Sequence, residues 1–246
     1  MEIRRADDRF VTSSDWLESR HSFSFGPFYD PANIGFGFLV AHNDDVVAPG
    51  TGFETHPHQD LEIVTWVLRG ALAHRDSEGH SGVVHPGLVQ RMSAGSGIRH
   101  SEWNDGPDPV HYVQMWVRPD HFDLTPSYAQ SPVDLTPGEL TPVVSGLPHH
   151  TTSTAIRLHQ QSAGLSVARL APTQSVVLPD APHVHVFIAE GTAHLEGVGH
   201  LATADAARLT TPEEAAAAEG GVLLRGGGRR LTAGPAGAEV LVWEMY

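Results

Sequence analysis

The sequence predicts an all-β fold of sandwich or barrel type, and three observations carry that prediction. The 246 residues include 25 glycines and 18 prolines, which interrupt the chain roughly every 8–12 positions, the rhythm of short strands joined by turns. The segments between are rich in Val, Leu, Ile, Thr and aromatic residues, which suit a pleated, half-buried surface. Helical patterns are few.

In chain order, strands are expected at 35–42, 61–68, 82–85, 110–117, 165–170, 184–189 and 239–245. The second, LEIVTWVL, is a β-branched and aromatic run closed by Gly70, and the fourth, VHYVQMWV, keeps Gln114 and Trp116 on one alternating face. A helical turn is expected over 15–19. A short helix is expected over 212–219 (PEEAAAAE), with proline and acids in its first turn, where the helix dipole favours them.

Residues 123–150 contain prolines at 126, 132, 137, 142 and 148 and little strand pattern. This divides the chain into 1–125, a proline-rich linker over 126–149, and 150–246. Trp66–His74 and Phe187–His194 share a strand–glycine pattern around Gly70 and Gly191, a faint sign of a duplicated β module.

Composition removes several kinds of function. The chain has no cysteine, which excludes disulfides, thiolate zinc sites, iron–sulfur clusters and cysteine nucleophiles. All 15 basic residues are arginine, which excludes Schiff-base and P-loop lysine chemistry. A formal net charge of −14 opposes direct binding to nucleic acid or to anionic membranes. The N-terminal MEIRRADDR lacks a signal-peptide core, and no apolar run approaches the ~18 residues of a membrane span. A cytoplasmic location is expected.

The 17 histidines then become the obvious reactive ligands. His56 and His58 stand two apart in GTGFETHPHQDLEIVTWVLRG (residues 50–70). Residues i and i+2 of a strand share a face, about 6–7 Å apart at Cα, so both imidazoles project to one side. His100 and Glu102 repeat the spacing in GLVQRMSAGSGIRHSEWN (residues 87–104). Adjacent strands would bring three neutral imidazoles and one carboxylate to one point, a donor set suited to Fe, Mn, Ni, Co, Cu or Zn rather than Ca or Mg.

FETHPHQDLEIVTWVLRG, HRDSEGHSG and QRMSAGSGIRHSE, with HSFSFG at 21–26 and HYVQMWV at 111–117, resemble the pirin family of the cupin superfamily across most of residues 20–130. The resemblance implies a bicupin: two jelly-roll β-barrels, the first holding one divalent transition metal through His56, His58, His100 and Glu102. It further implies a quercetin 2,3-dioxygenase activity with Fe(II), opening the central ring of a flavonol with O₂ and releasing CO, with Glu102 as ligand and base. Pirins also include metal-dependent, redox-responsive regulators that act through a protein partner, which is the alternative reading.

Glu62 has two readings, a carboxylate supporting the ligands from behind or a solvated or structural one. His74, Asp76 and Ser77 read as a hairpin rather than a nucleophilic triad. Gln114 and Trp116 read as packing rather than cavity lining. Gly95-Ser96-Gly97 reads as a bend swinging His100 inward rather than a phosphate loop. Arg225–Arg230 reads as a surface loop. A gap-free alignment on Gly70 and Gly191 places Val177 and Pro179 where His56 and His58 stand, and His183 opposite Glu62. Aligning Gly87 with Ala204 places Ala217 opposite His100 and Glu219 opposite Glu102. The second module is therefore expected to lack the metal ligands, leaving His183 and His185 as strand residues.

Overall fold

Alternating burial along short segments is what organises this chain into sheets. The computed structural model describes residues 1–210 and 228–246; the helix expected over 212–219 and the start of the basic run at Arg225 lie outside the described residues. Apart from two single turns of 3₁₀ helix, Ala6–Asp8 and Pro148–His150, the regular structure of the described residues is all β.

The chain divides into two compact units. One comprises residues 9–134 and 144–161, the other 1–8, 135–143 and 162–246. These boundaries differ from the expected division in three places. Residues 1–8 join the second unit because Glu2–Arg4 pairs with Ala206–Thr210 and Asp205 receives both the Arg5 guanidinium, at 2.6 Å, and the Ala6 amide, at 2.9 Å. Residues 144–161 join the first because the buried Glu62 accepts the His159 amide at 3.1 Å. The stretch expected to be a linker holds two strands, Ser127–Pro132 and Thr141–Ser145. Its prolines mislead because Pro132 closes a strand rather than interrupting one.

In the first unit a seven-stranded antiparallel sheet runs in the order Ser127–Pro132, Leu88–Ser93, Glu62–Arg69, Val110–Val117, Leu39–Val47, Leu17–His21, Phe10–Ser13. A four-stranded sheet runs Gly52–His58, Ile98–Trp103, Leu72–Asp76, Ser81–Val84. They pack face to face in jelly-roll manner, without closing into one continuous hydrogen-bonded barrel. The turn expected over 15–19 is instead part of the strand Leu17–His21, where Leu17, Ser19 and His21 are buried and Glu18 is exposed, a period of two that no helix satisfies.

Two apolar clusters lie between these sheets. One joins Leu17, Val67, Val110 and Tyr112 of the large sheet to Leu72, Val84 and Phe53 of the small one. The other joins Ile63, Met92 and Trp116 to Ile98. Each fully buried aliphatic side chain contributes about 1.5–3 kcal/mol. On Val110–Val117 the inward series is Tyr112, Gln114, Trp116, so Gln114 falls between the two clusters. The same holds for His100 and Glu102, which follow Ile98 along their strand. A polar band is thereby trapped between two apolar ends.

The second unit centres on two long antiparallel strands, His183–Leu195 and Arg230–Met245, extended by Ala163–Leu170 on one side and by Ala206–Thr210 with Glu2–Arg4 on the other. Its core holds Leu170, Val184, Val186, Ile188, Leu209 and Val240 among others. Gly191 bends the long strand with φ +78°, and Gly70 ends its own strand with φ +76°. Both occupy the left-handed region that glycine tolerates best. His183 and His185 lie in this central sheet, opposite Met245 and Trp243.

Candidate metal centre

The strands Gly52–His58 and Ile98–Trp103 pair antiparallel, with His100 opposite His56 and Ile98 opposite His58. Beyond His100 the register slips, so that Glu102 faces Phe53. The bulge puts two residues between His56 and Phe53 against one between His100 and Glu102, and this one extra residue returns Phe53 to the face carrying His56 and His58. Gly52 permits the close approach behind the bulge, since a Cβ there would collide with the Glu102 carbonyl oxygen. Ahead of Ile98, Gly95 and Gly97 have φ +49° and +136° and make the bend that leads His100 inward.

Three imidazoles converge as a result. Ring centroids lie 4.8 Å apart for His56–His58, 4.5 Å for His56–His100 and 4.9 Å for His58–His100, and one nitrogen from each falls within 4.8 Å of the others. His56 Nδ1 donates to the Glu54 carbonyl at 2.8 Å, leaving Nε2 as a bare lone pair. His58 Nε2 and His100 Nε2 are buried without a hydrogen-bond partner. Buried polar atoms are normally satisfied. Convergent imidazole nitrogens without partners offer a donor set that fits a divalent metal ion.

Burial holds both rings neutral, as metal binding requires. The pKa of His58 is depressed to about 3, chiefly by desolvation and then by the neighbouring rings of His100 and His56. That of His100 is also depressed to about 3, by desolvation and then by His56 and His74.

Glu102 is not in the three-histidine group. Its carboxylate belongs to an overlapping one with His74 and His100, all three buried. Both its oxygens accept from Gln114 Nε2, at 2.8 and 3.0 Å, while Gln114 Oε1 accepts from Trp116 Nε1 at 3.0 Å. The Trp116 ring in turn stands edge-on to His58 at 4.8 Å. Gln114 and Trp116, read from the sequence as packing, thus form the wall that holds Glu102. Periodicity put them on the correct face but could not show what lay opposite.

Glu62 resolves to the structural reading. It is 1% exposed and binds the His159 amide and Nδ1, the latter at 3.3 Å. A second carboxyl that sequence reasoning missed is Asp45. Fully buried opposite Tyr112, it accepts a hydrogen bond from the Ser19 hydroxyl, and desolvation pushes its pKa up to about 7.

A cleft of about 510 Å³ opens beside His56, lined by Trp16, Phe53, Glu54 and Trp103. Trp16 and Phe53 meet edge to face at 5.1 Å. The cleft has the size of a small-molecule site and presents flat apolar surfaces beside the imidazole cluster.

The family model described as Pirin matches residues 4–117. A protein of Mycobacterium tuberculosis (strain ATCC 25618 / H37Rv), provisionally named quercetin 2,3-dioxygenase, is 51% identical over 249 residues, covering 100% of this chain and 95% of the relative. A quercetin 2,3-dioxygenase of Escherichia coli (strain K12) is 37% identical over 201 residues, covering 80% of this chain and 84% of that protein. The crystal structure of the bacterial pirin YhhW from Escherichia coli in complex with nickel(II) matches with a TM-score of 0.83 and 32% identity, covering 99% of this chain and 98% of that one.

Proposed function

The chain belongs to the pirin family, and we propose that it is a metal-dependent dioxygenase that opens the central ring of flavonols or related polyphenols with O₂ and releases CO. The observation that carries this reading is the convergence of three imidazoles beside an aromatic cleft. His56, His58 and His100 would hold one divalent transition metal through Nε2, and Glu102 would complete the set. Fe(II) is the reading of its identity, with Mn, Ni, Co, Cu and Zn compatible with the same donors. Nickel(II) in the YhhW complex supports a divalent occupant. The names of the relatives support an enzyme over a regulator acting through a protein partner.

A bound metal supplies Lewis acidity toward the flavonol oxygens and a route for electrons to O₂. The protein supplies position and proton handling. Trp16, Phe53 and Trp103 clasp the planar rings so that the 3-hydroxyl edge meets the imidazole cluster. Glu102, a hydrogen-bond acceptor aimed into the polar band, takes the 3-hydroxyl proton. Gln114 keeps both carboxylate oxygens oriented until the substrate hydroxyl competes for one of them. The apolar clusters on either side exclude water from the reacting ring.

To test this, the metal-loaded protein is incubated with quercetin and O₂. Flavonol bleaching with matching CO release is expected, and both should vanish in His56→Ala/His58→Ala. Bleaching that persists in the double variant, or bleaching without CO, would contradict the proposal.

A further inference from the structure

The motif HRDSEGH, residues 74–80, is left over once the ligands and the cleft are accounted for. Part of it is a turn: Asp76 Oδ1 accepts the backbone N–H groups of Glu78, at 3.0 Å, and of His80, at 2.9 Å. That role needs only one carboxylate oxygen. The other, Oδ2, faces His74 Nε2 at 3.2 Å, and both side chains are fully buried. His80 Nδ1 approaches the same oxygen at 3.1 Å from the surface side.

His74 continues inward. Its Nδ1 lies 3.3 Å from Nδ1 of His100, and the register explains why: His100 pairs with Asp76 and Glu102 with His74 across the two strands. The Tyr128 ring stacks on His74 at 4.8 Å and holds its plane.

With a single N–H on each imidazole, the contacts along this row fix the donor order. An ionised carboxylate only accepts, so His74 Nε2 carries a proton. A neutral imidazole has one N–H, so His74 Nδ1 is an acceptor. The hydrogen between the two rings therefore belongs to His100 Nδ1, and His100 Nε2 is left as a lone pair, which is the buried nitrogen without a partner. We propose that Asp76 and His74 are positioning residues that set the tautomer of His100, keeping its proton on Nδ1 and Nε2 bare toward the imidazole cluster. Nothing in the row touches substrate, and its influence passes entirely through His100.

The consequence for metal affinity rests on His100 being a ligand, as proposed above; the tautomer itself does not. Removing the partner that orients a ligating histidine typically weakens metal binding by roughly 10–100-fold.

Proton–nitrogen correlation spectra of the metal-free protein distinguish Nδ1–H from Nε2–H imidazole. The wild type should show His100 protonated on Nδ1. In Asp76→Asn the amide oxygen can keep the turn N–H groups while the amide nitrogen, now a donor, faces His74 Nε2. His74 must then donate from Nδ1, and His100 should switch to the Nε2–H form with nickel(II) bound roughly 10–100-fold more weakly. His74→Gln presents an amide donor to Asp76 and a carbonyl acceptor to His100, so it should retain the wild-type tautomer of His100, whereas His74→Leu should not. A purely structural motif would lower stability in these variants without moving the tautomer. The inference is overturned by His100 protonated on Nε2 in the wild type, by an unchanged tautomer in folded Asp76→Asn, or by His74→Gln behaving as His74→Leu. A wild-type protein with the stated tautomer that takes up no nickel(II) upholds the relay and refutes the metal reading.

Discussion

Gln114 Nε2 lies 2.8 and 3.0 Å from the two carboxylate oxygens of Glu102, and Trp116 is what turns it that way. Because the indole N–H occupies Gln114 Oε1, the amide cannot flip without losing both sets of hydrogen bonds. Glu102 is 2% exposed, so this amide is its main tie to the opposite sheet.

Replacing that amide by an isosteric apolar group, Gln114→Leu, should cost about 1.5–3 kcal/mol, the usual worth of a hydrogen bond to a charged group. It should also lower kcat, because Glu102 loses its orientation. Urea unfolding with an unchanged m-value, run beside turnover assays, checks both effects.

The convergence of His56, His58 and His100 was legible in the sequence because strand parity is a short-range rule. His56 with His58, and His100 with Glu102, needed only a period of two. Parity could not see which strand Glu102 would meet: it pairs with His74 of the Leu72–Asp76 strand and groups with His74 and His100 rather than with all three histidines. The contacts of Gln114, Glu62 and His74 join different strands, and no local pattern encodes them. The domain boundary was misread for the opposite reason: proline spacing at 126–148 is a strong local signal, but pairing with Leu88–Ser93 and the Glu62–His159 contact override it.

Acid should destabilise the metal-free protein. His58 and His100 have folded pKa values of about 3 against 6.5 unfolded, so the unfolded chain binds two more protons between those limits and stability falls as pH drops through that window. Asp45 works in reverse: with a folded value of about 7 against 3.8, it stays protonated in the fold while the unfolded chain ionises, and its contribution is lost as pH rises from 3.8 to 7. Between pH 3.8 and 6.5 these three groups leave a net of about one proton, or about 1.4 kcal/mol per pH unit. Asp45→Asn should steepen that slope toward two protons and raise stability at pH 8, where the wild type carries a buried charge. Chemical denaturation across pH measures the slope; a flatter slope in the variant would refute the assignment.

Trp16→Ala should raise KM for a flavonol while leaving metal content unchanged. An aromatic contact of about 0.5–1.5 kcal/mol corresponds to roughly a 2–13-fold effect. Steady-state kinetics with parallel metal analysis separates a lost substrate wall from a damaged metal centre.

Glu62→Ala should leave metal stoichiometry intact and loosen residues 144–161. The carboxylate holds the His159 amide and ring, and its loss strands a part-buried donor at a cost of about 1–3 kcal/mol. Hydrogen exchange should show deprotection confined to that segment; loss of metal instead would mean that Glu62 serves the metal centre.

The most direct test of the central claim is turnover measured as CO released against metal bound per chain. One centre built from His56, His58 and His100 predicts that CO release rises in proportion to bound metal and saturates at one metal per chain. Saturation at two, or full occupancy without CO, would contradict it.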